Sequence, residues 1–310
     1  MYASPYDTYV HRPHHRPVFR PLAATVNGAK TAAVLAGLGG LLVAVGSVFG
    51  QGGALVGLLV GVAIAAGSWW FSDRIALAAA GAVPARRWAY PEYHRIVREL
   101  CAEAGLPIPR LYVTPDRQPN AFATGRDPEH AAVAVTAGIL DLLTWEELKG
   151  VLAHELAHVG NRDILLTSIA AAVATGISYL ANLLMWLPFF GSTGDDEGSG
   201  PSPLGVLVTA LLAPLAATVL QLALSRSREY EADAAGARLL GDGAPLARAL
   251  AKLDRTSRTV PMDVDPAQAA KYIVNPLTGR RLGFAVLFST HPPVRERIDR
   301  LMSGVWAATS

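Results

Sequence analysis

Charged residues are scarce in this sequence, and cysteine is almost absent. Only 17% of the 310 residues are charged and 51% are hydrophobic, so the chain is more apolar than an average soluble domain. The single cysteine, Cys101, excludes an internal disulfide, which fits a reducing compartment for the polar part of the chain. The net charge is only +2. With no basic cluster outside the N-terminal arm, no nucleic-acid partner is expected.

Four long runs of the sequence contain no charged residue. The first pair, residues 31–50 and 54–71, predicts a hairpin of membrane helices, because each run is close to the roughly 20 residues that cross a bilayer core. The second pair, residues 164–190 and 204–224, predicts two more membrane helices, with burial inside protein as the alternative. Tryptophans near the ends of the runs favour the membrane interface: Trp69, Trp70 and Trp186.

Lysine and arginine are absent from one side of the predicted membrane region. The connections at residues 51–53 and 191–203 lack them, whereas basic residues precede the first run and follow the second and the fourth. The positive-inside rule therefore predicts a multi-pass protein of the cell membrane, whose termini and two long polar segments face the cytoplasm. Residues 1–30, rich in histidine, proline and arginine, predict a flexible basic arm near anionic lipid rather than a metal site.

The polar segments predict a domain that contains helices and a small sheet. Short β-branched stretches predict three strands, over residues 110–114, 120–125 and 130–136. A capping box formed by Thr144 and Glu147 predicts the start of a helix that continues through residue 158. Helical spacing predicts three further helices, and a loop is expected between the last two. These helices are 91–104, 243–255 and 293–302, and the loop is 256–279.

The predicted helix after Thr144 carries the main chemical signal of the sequence. His154, Glu155 and His158 form an H-E-x-x-H motif. Positions four apart share one face of a helix, so both imidazoles can bind one zinc ion while Glu155 lies beside them. A catalytic zinc ion usually has three protein ligands and one open position. The motif therefore requires a third ligand elsewhere in the chain.

A pair of carboxylates after the fourth apolar run supplies a candidate for that ligand. Glu229 and Asp233 are four residues apart and therefore share a helix face. We expect Glu229 to bind the metal and Asp233 to accept the outer N–H of a ligating histidine. Glu231 lies two positions from Glu229, roughly 200° around the helix axis, and is expected to point away from the metal.

Five motifs are spread over most of the chain after the arm. They are PNAFATG at 119–125, AAVAVT at 131–136, VLAHELAH at 151–158, SREYEAD at 227–233 and STHPP at 289–293. In these motifs the chain resembles the HtpX-type membrane zinc endopeptidases, which are related to the CAAX prenyl proteases and more distantly to the soluble gluzincins. The long arm before the first apolar run departs from this family, whose N-terminus is usually short.

The resemblance implies a role in the quality control of misfolded or damaged membrane proteins, as part of a stress response. It implies that Asn120, Ala121 and Phe122 form an edge strand against which an extended substrate lies, a mode that binds mostly main chain. It also suggests that His291 donates to the developing oxyanion, with a structural role beside the last helix as the alternative. The expected partners are unfolded or membrane-protein substrates and the lipid bilayer.

These expectations combine into a fold class and a division of the chain. The fold class is an α-helical membrane protein with about four apolar helices and an α+β, gluzincin-like zinc protease domain, whose small sheet lies beside the H-E-x-x-H helix. The predicted segments are a basic arm at 1–30, a transmembrane hairpin at 31–71, the first part of the protease domain at 72–163, two membrane helices with an acidic loop at 164–224, and the second part of the protease domain at 225–310.

Glu155 is expected to take a proton from a zinc-activated water and to pass it to the leaving amine.

The sequence disfavours four other functions. A transporter needs charges within its helices, and the four runs have none. An intramembrane protease has its motif inside an apolar helix, whereas His154 lies among polar residues. A CAAX protease generally has more membrane helices, and a silent scaffold does not need a complete set of ligands and base.

Overall fold

The computed structural model describes residues 50–169, 226–259 and 292–308, together with scattered helical positions between residues 28 and 47. This part of the chain is mainly helical and contains one small mixed sheet. In chain order the elements are α1 (Gly50–Ala79), β1 (Val83–Pro84), α2 (Pro91–Ala104), β2 (Arg110–Thr114), β3 (Ala121–Thr124), a 3-10 turn (Pro128–His130), β4 (Ala132–Thr136), α3 (Ala137–Leu142), α4 (Trp145–Gly160), α5 (Arg226–Leu240), α6 (Ala244–Thr259), α7 (Val294–Met302) and α8 (Val305–Ala308).

The sheet has the strand order β1-β2-β4-β3. Strands β2 and β4 run parallel, with Leu111 opposite Val133, whereas the β1–β2 and β3–β4 pairs are antiparallel. Every residue of β4 is buried, because strands flank it on both sides and helices pack on the sheet. Strand β3 therefore lies at one edge of the described sheet, where the resemblance implied an edge strand.

Two of the predicted strands are shorter in the structure. The strand predicted over 120–125 reduces to Ala121–Thr124, and Gly125 follows it with a φ of 140°. The strand predicted over 130–136 begins only at Ala132 in the structure. The Asp127 side chain accepts a hydrogen bond from the His130 N–H and holds a 3-10 turn before the strand. Strand β2 has its predicted bounds.

Helix α4 begins where the capping box places it. The Thr144 hydroxyl accepts a hydrogen bond from the Glu147 N–H, and the Glu147 carboxylate accepts one from the Thr144 N–H at 2.9 Å. This exchange satisfies two backbone donors that a helix start leaves unpaired. The helix then passes through the main hydrophobic core, which it shares with α2, the sheet and α6, and it ends at Gly160.

The last described helices differ from the prediction mainly at their ends. Helix α6 continues to Thr259 rather than ending at residue 255, and the Thr256 hydroxyl donates to the Lys252 carbonyl one turn earlier. The predicted loop therefore begins later than residue 256, and its remainder lies outside the described residues. The terminal helix runs over Val294–Met302, one residue shorter than predicted.

Helix α1 is long and apolar enough to cross a membrane, and it is the one such helix in the described ranges. Its large side chains are exposed, as the values of 61% for Leu59 and 59% for Val62 show. Apolar surface of this extent on a helix is expected where lipid covers it. The helix continues beyond residue 71, the predicted end, and Asp73 pairs with Arg110 of β2, which ties α1 to the sheet.

A helical segment before α1 packs closely against it. A Cβ added at Gly57 would overlap the carbonyl oxygen of Leu42, and one at Gly61 would lie 3.1 Å from Gly39 Cα. The residue numbers run in opposite directions, so the two segments are antiparallel, as the predicted hairpin requires; small residues permit such close approach in membranes. The predicted turn at 51–53 is wrong, because α1 already begins at Gly50, whose φ of 84° suits a chain reversal.

The other predicted membrane segments are mostly outside the described residues. Residues 164–169 are helical, but the rest of the run to residue 190, the acidic loop and the run over 204–224 are not described. The same holds for nearly all of the basic arm. Two further membrane helices and the segment boundaries at 163 and 225 therefore stay predictions.

Candidate metal centre

Two histidines of α4 face each other inside the protein. His154 is 1% exposed, and the Nε2 atoms of His154 and His158 are 3.2 Å apart. The two rings are nearly perpendicular, with their centroids 4.7 Å apart. Imidazole nitrogens this close either share a proton or bind a common cation.

Glu229 of α5 completes a three-residue cluster. Its carboxylate oxygens lie 3.8 Å from His154 Nε2 and 3.7 Å from His158 Nε2, and the three candidate ligand atoms are within 4.8 Å of one another. Ligand atoms at about 2.1 Å from a tetrahedral metal ion are about 3.4 Å apart. The observed separations therefore fit a metal ion between the three side chains. The structure thus brings together the three residues that the sequence predicts as ligands.

Helix α5 reaches this position because a glycine lets it approach α4 closely. A Cβ added at Gly236 would lie 3.1 Å from the backbone nitrogen of His154, so a larger residue would push the helices apart. Glu229 and Asp233 are seven and three residues before Gly236 and share its face of α5. The close contact therefore directs both carboxylates towards the histidines.

Each histidine has a carboxylate next to its outer nitrogen. Asp163 approaches His158 Nδ1 with both oxygens at 3.0 Å. Asp233 Oδ1 lies 2.9 Å from His154 Nδ1, although the direction of this contact departs from that of a good hydrogen bond. Such carboxylates fix the tautomer in which Nε2 is free to bind a metal, and they raise its basicity. The sequence predicted Asp233 for this position but missed Asp163.

Asp163 reaches His158 through a tight turn at the end of α4. Arg162 has a φ of 55°, in the left-handed region that non-glycine residues seldom adopt. The turn brings Asp163 back onto the helix, where its N–H donates to the His158 carbonyl and its side chain is buried. The sequence held only a weak signal for this role, an aspartate five residues after a histidine and just before an apolar run.

The charges around the cluster favour cation binding. Burial acts to lower the pKa of His158, but the carboxylates of Asp163, Glu229 and Glu155 outweigh burial and raise this pKa to about 10. These carboxylates favour the doubly protonated His158 ring in the absence of a metal ion, and a cation bound at Nε2 would displace one of the two ring protons. Metal uptake is consequently expected to release protons and to weaken as the pH falls.

Arg297 of α7 is a further residue of the site that the sequence did not reveal. Its side chain is fully buried, and Nε and Nη2 donate to the Asp233 carboxylate at 2.8 and 2.7 Å. Burial alone would raise the pKa of Asp233, but Arg297 lowers it below its ordinary value. Arg297 thus keeps Asp233 ionised beside His154. No local pattern distinguishes it from the other arginines of α7, which explains why it was missed.

Glu155 lies beside the cluster without belonging to its ligand set. The side chain is buried, and Oε2 accepts a hydrogen bond of 2.9 Å from the Ala123 N–H of β3. Burial raises the pKa of Glu155 above its ordinary value, against the effect of the two histidines. A carboxylate with a raised pKa is suited to accept and release a proton near neutral pH.

The register of β3 determines which main-chain groups face away from the sheet. Asn120 exchanges hydrogen bonds with Thr136 of β4, through the Thr136 N–H and the Thr136 hydroxyl. Because successive residues of a strand alternate, Asn120 and Phe122 direct their backbone groups towards β4, whereas Ala121 and Ala123 direct theirs outwards. Of the three predicted substrate-binding residues, only Ala121 therefore has outward main-chain groups, and Ala123 joins it. His291 lies outside the described residues.

We expect Asp163→Asn to weaken metal affinity or activity by about 10- to 100-fold, as losses of such orienting carboxylates do. The amide keeps the size of the side chain but removes the charge that raises the basicity of His158. Chelator competition on the purified protein measures the affinity. Asp141→Asn, an exposed position on α3, is the matched control and should leave it unchanged. Equal affinities in the two variants would contradict the role given to Asp163.

Comparisons with known proteins identify the family of this chain. Peptidase family M48 matches residues 88–304. The chain is 49% identical over 278 residues to a Protease HtpX homolog of Pelotomaculum thermopropionicum, and 50% identical over 278 residues to one of Syntrophobacter fumaroxidans. These alignments cover 89% and 88% of this chain and 98% of each relative. A Protease HtpX homolog of Nostoc punctiforme is 48% identical over 280 residues, with 89% of this chain and 96% of the relative covered.

Among solved structures, the chain is similar to the crystal structure of S. mikatae Ste24p, with a TM-score of 0.48 and 20% identity. That match covers 92% of this chain and 68% of the other. The family match and the HtpX relatives are more informative, because the relatives are 49% and 50% identical to this chain rather than 20%, and the family match spans residues 88–304. This chain therefore belongs to peptidase family M48, a family of metalloproteases.

Proposed function

We propose that the chain is a membrane-bound zinc endopeptidase that hydrolyses peptide bonds in misfolded or damaged membrane proteins. One observation carries the proposal: His154, His158 and Glu229 converge, with Glu155 beside them, in a domain that directly follows a helix long and apolar enough to cross a membrane. The family makes the chain a protease. The zinc ion, internal cleavage and the class of substrate are the proposed part.

The composition of the ligand set supports zinc. Two imidazole nitrogens and one carboxylate leave one position of a tetrahedral site open, which is the usual arrangement of a catalytic zinc ion. Magnesium and calcium prefer oxygen ligands alone. We therefore propose one zinc ion per chain, bound by His154, His158 and Glu229.

A zinc ion held there would polarise the carbonyl of a bound peptide and make a water molecule acidic enough to lose its proton near neutral pH. Glu155 takes that proton while the water oxygen bonds to the carbonyl carbon, and it passes the proton to the amine as the C–N bond breaks. Because water is the nucleophile, the chain forms no covalent intermediate with the peptide. The Ala123 N–H holds the Glu155 carboxylate in place for both transfers. In this proposal His291 donates a hydrogen bond to the developing oxyanion.

The edge strand supports recognition of extended peptides. A substrate strand that pairs with β3 would bond to the outward main-chain groups of Ala121 and to the Ala123 carbonyl, which alternate with the groups used by β4. The Ala123 N–H is not available to it, because that group donates to Glu155. Such pairing depends on the peptide backbone and so tolerates many side chains. A segment must be unfolded to lie in this way, which fits misfolded or damaged proteins as substrates.

We further propose that the chain crosses the cell membrane four times, with the protease domain and both termini in the cytoplasm. The exposed apolar surface of α1 and its antiparallel contact with the preceding segment support the first two crossings. The second pair of crossings and the direction rest on the distribution of basic residues in the sequence.

Cysteine labelling tests this orientation. A cysteine at Thr193, in the predicted outer loop, should react with an impermeant reagent on intact cells, whereas one at Ala251 should react only after permeabilisation. Ala251 is exposed on α6, while the nearby Ser257 is 5% exposed and would be shielded in either orientation. The native Cys101 is buried, and burial raises the pKa of its thiol to about 12, so background labelling should be low. The reverse pattern would contradict the cytoplasmic placement.

The proposed activity is tested by incubating the purified, detergent-solubilised protein with an unfolded membrane protein, with and without zinc. We expect zinc-dependent cleavage at several internal positions, identified from the fragment termini by mass spectrometry. Release of only a C-terminal tripeptide from a prenylated substrate would instead indicate a CAAX protease. No cleavage by a zinc-loaded, folded protein would indicate a scaffold.

A further inference from the structure

A pocket of 350 Å³ lies beside the end of the apolar stretch of α1. Its walls come from α1, from the start of β2 and from the turn between β3 and β4. Each of these parts contributes one arginine to the lining: Arg74, Arg110 and Arg126. We call this cavity the arginine pocket. None of its lining residues belongs to the metal centre, so the proposed peptidase mechanism leaves it without a function.

The arginine pocket lies at the level expected for the membrane surface. Helix α1 has no charged residue before Asp73, and Asp73 and Arg74 both line the pocket. Trp70 on the pocket wall is 53% exposed, and Ile108 on the other side is 60% exposed. Indole rings beside apolar surface favour the boundary between lipid tails and headgroups. Lipid headgroups are therefore the candidate ligands with the highest local concentration next to this pocket.

Aromatic rings orient two of the arginines. The Arg126 guanidinium lies 4.7 Å from the ring centre of Trp70 and 5.5 Å from that of Trp69. The Arg74 guanidinium lies 5.6 Å from the ring centre of Phe71. Stacking uses the flat face of a guanidinium and leaves the N–H groups at its edge able to bind an anion. The aromatic residues thus preorganise both cations at the membrane boundary.

The lining retains an excess of positive charge. Three arginines face two carboxylates, Asp73 and Glu129. Asp73 accepts a hydrogen bond from Arg110, so these two neutralise each other. Arg126 Nε lies 3.5 Å from Asp127 Oδ2, while the other oxygen of that carboxylate contacts His130 at 2.6 Å, so Asp127 offsets part of the charge of Arg126 from outside the lining. Arg74 forms no ion pair with any other residue that the structure describes.

We propose that the arginine pocket binds the phosphate of an anionic phospholipid from the cytoplasmic leaflet. Arg74 and Arg126 donate to the phosphate oxygens, Trp70 and Ile108 contact the adjoining acyl region, and the Asp73–Arg110 pair forms the wall. The proposal depends on the membrane placement of α1 but on neither zinc nor proteolysis. Such a lipid would fix the height of the protease domain relative to the bilayer.

Native mass spectrometry of the full chain in detergent tests the proposal. The protein is incubated with phosphatidylglycerol or phosphatidylcholine of the same acyl chains, and the bound lipid is measured. Wild-type protein should retain phosphatidylglycerol preferentially. Arg74→Gln and Arg126→Gln should each weaken this retention by about 5-fold, and the double variant by about 30-fold, with phosphatidylcholine unaffected. Glu129→Gln, which removes a negative charge, should strengthen it.

Arg98→Gln is the matched control, because it removes an exposed arginine from α2, outside the pocket. It should leave phosphatidylglycerol retention unchanged. Equal retention of the two lipids by wild-type protein, or equal loss in Arg98→Gln and Arg126→Gln, would overturn the proposal. Displacement of the lipid by an equal concentration of inorganic phosphate would overturn it as well, since the pocket would then be a site for free phosphate. Because lipid retention is measured directly, a protein without proteolytic activity gives an equally clear result.

Discussion

Glu155→Gln should lower the rate of peptide cleavage by about 1000-fold, within the range that general acid–base catalysis contributes. The glutamine has the shape of the glutamate, and its amide oxygen can still accept the hydrogen bond from Ala123. It cannot take a proton from water. Because Glu155 is not among the three ligands, zinc content and thermal unfolding should stay near wild type.

Glu146→Gln provides the control for this prediction. Glu146 is on the same helix and undergoes the same chemical change, but its side chain is 72% exposed and lies 3.6 Å from Arg248, away from the metal centre. Its cleavage rate should be unchanged. If Glu155→Gln were free of zinc or unfolded, Glu155 would have a ligand or structural role and the proposed proton transfer would be wrong.

Glu229→Ala should remove zinc and end proteolysis, whereas Glu231→Ala should leave the zinc content largely intact. The two glutamates are two residues apart on α5 and face different partners. Glu229 is buried between the two histidines, while Glu231 lies 3.1 Å from Arg238. Removing a ligand should weaken zinc binding by more than the about 100-fold expected at most from losing an orienting carboxylate.

Asp233→Asn should fall between these two variants in zinc affinity. The substitution removes a charge that faces both His154 and Arg297, so we also expect it to lower stability, because it leaves a buried arginine without its full partner. Zinc analysis and thermal unfolding of the three purified variants separate these effects. Loss of zinc in Glu231→Ala with retention in Glu229→Ala would show that α5 is rotated from its present position.

The residues of the site that the sequence revealed are those related by local spacing. His154 and His158 are four apart on a capped helix, and Glu229 and Asp233 are four apart on another, so helical geometry alone places each pair on one face. Their joint use as a metal site was inferred from the chemical need of a zinc ion for a third ligand. Asp163 and Arg297 share no such spacing with their partners.

The membrane segments show the same difference between features that the local sequence predicts and features that it does not. The absence of charge over residues 54–71 predicted a membrane helix, because hydropathy is a local property. The start of that helix at Gly50 and its end at Ala79 were not predicted, since neither coincides with an end of the charge-free run over 54–71. Asp73 lies inside this helix and contacts Arg110 of β2, a partner that the local sequence does not reveal.

The sequence by itself determined the chemical groups of this protein: a helix with two histidines and a neighbouring glutamate, a second helix with a carboxylate pair, and apolar runs long enough to cross a membrane. These features are encoded within single turns or single runs, where neighbouring residues fix the geometry. Only the tertiary structure decided how the carboxylates orient the histidines, through the left-handed turn at Arg162 and the buried Arg297, 64 residues after Asp233. It also decided that Ala123 faces Glu155, because strand register and helix packing depend on contacts between distant segments.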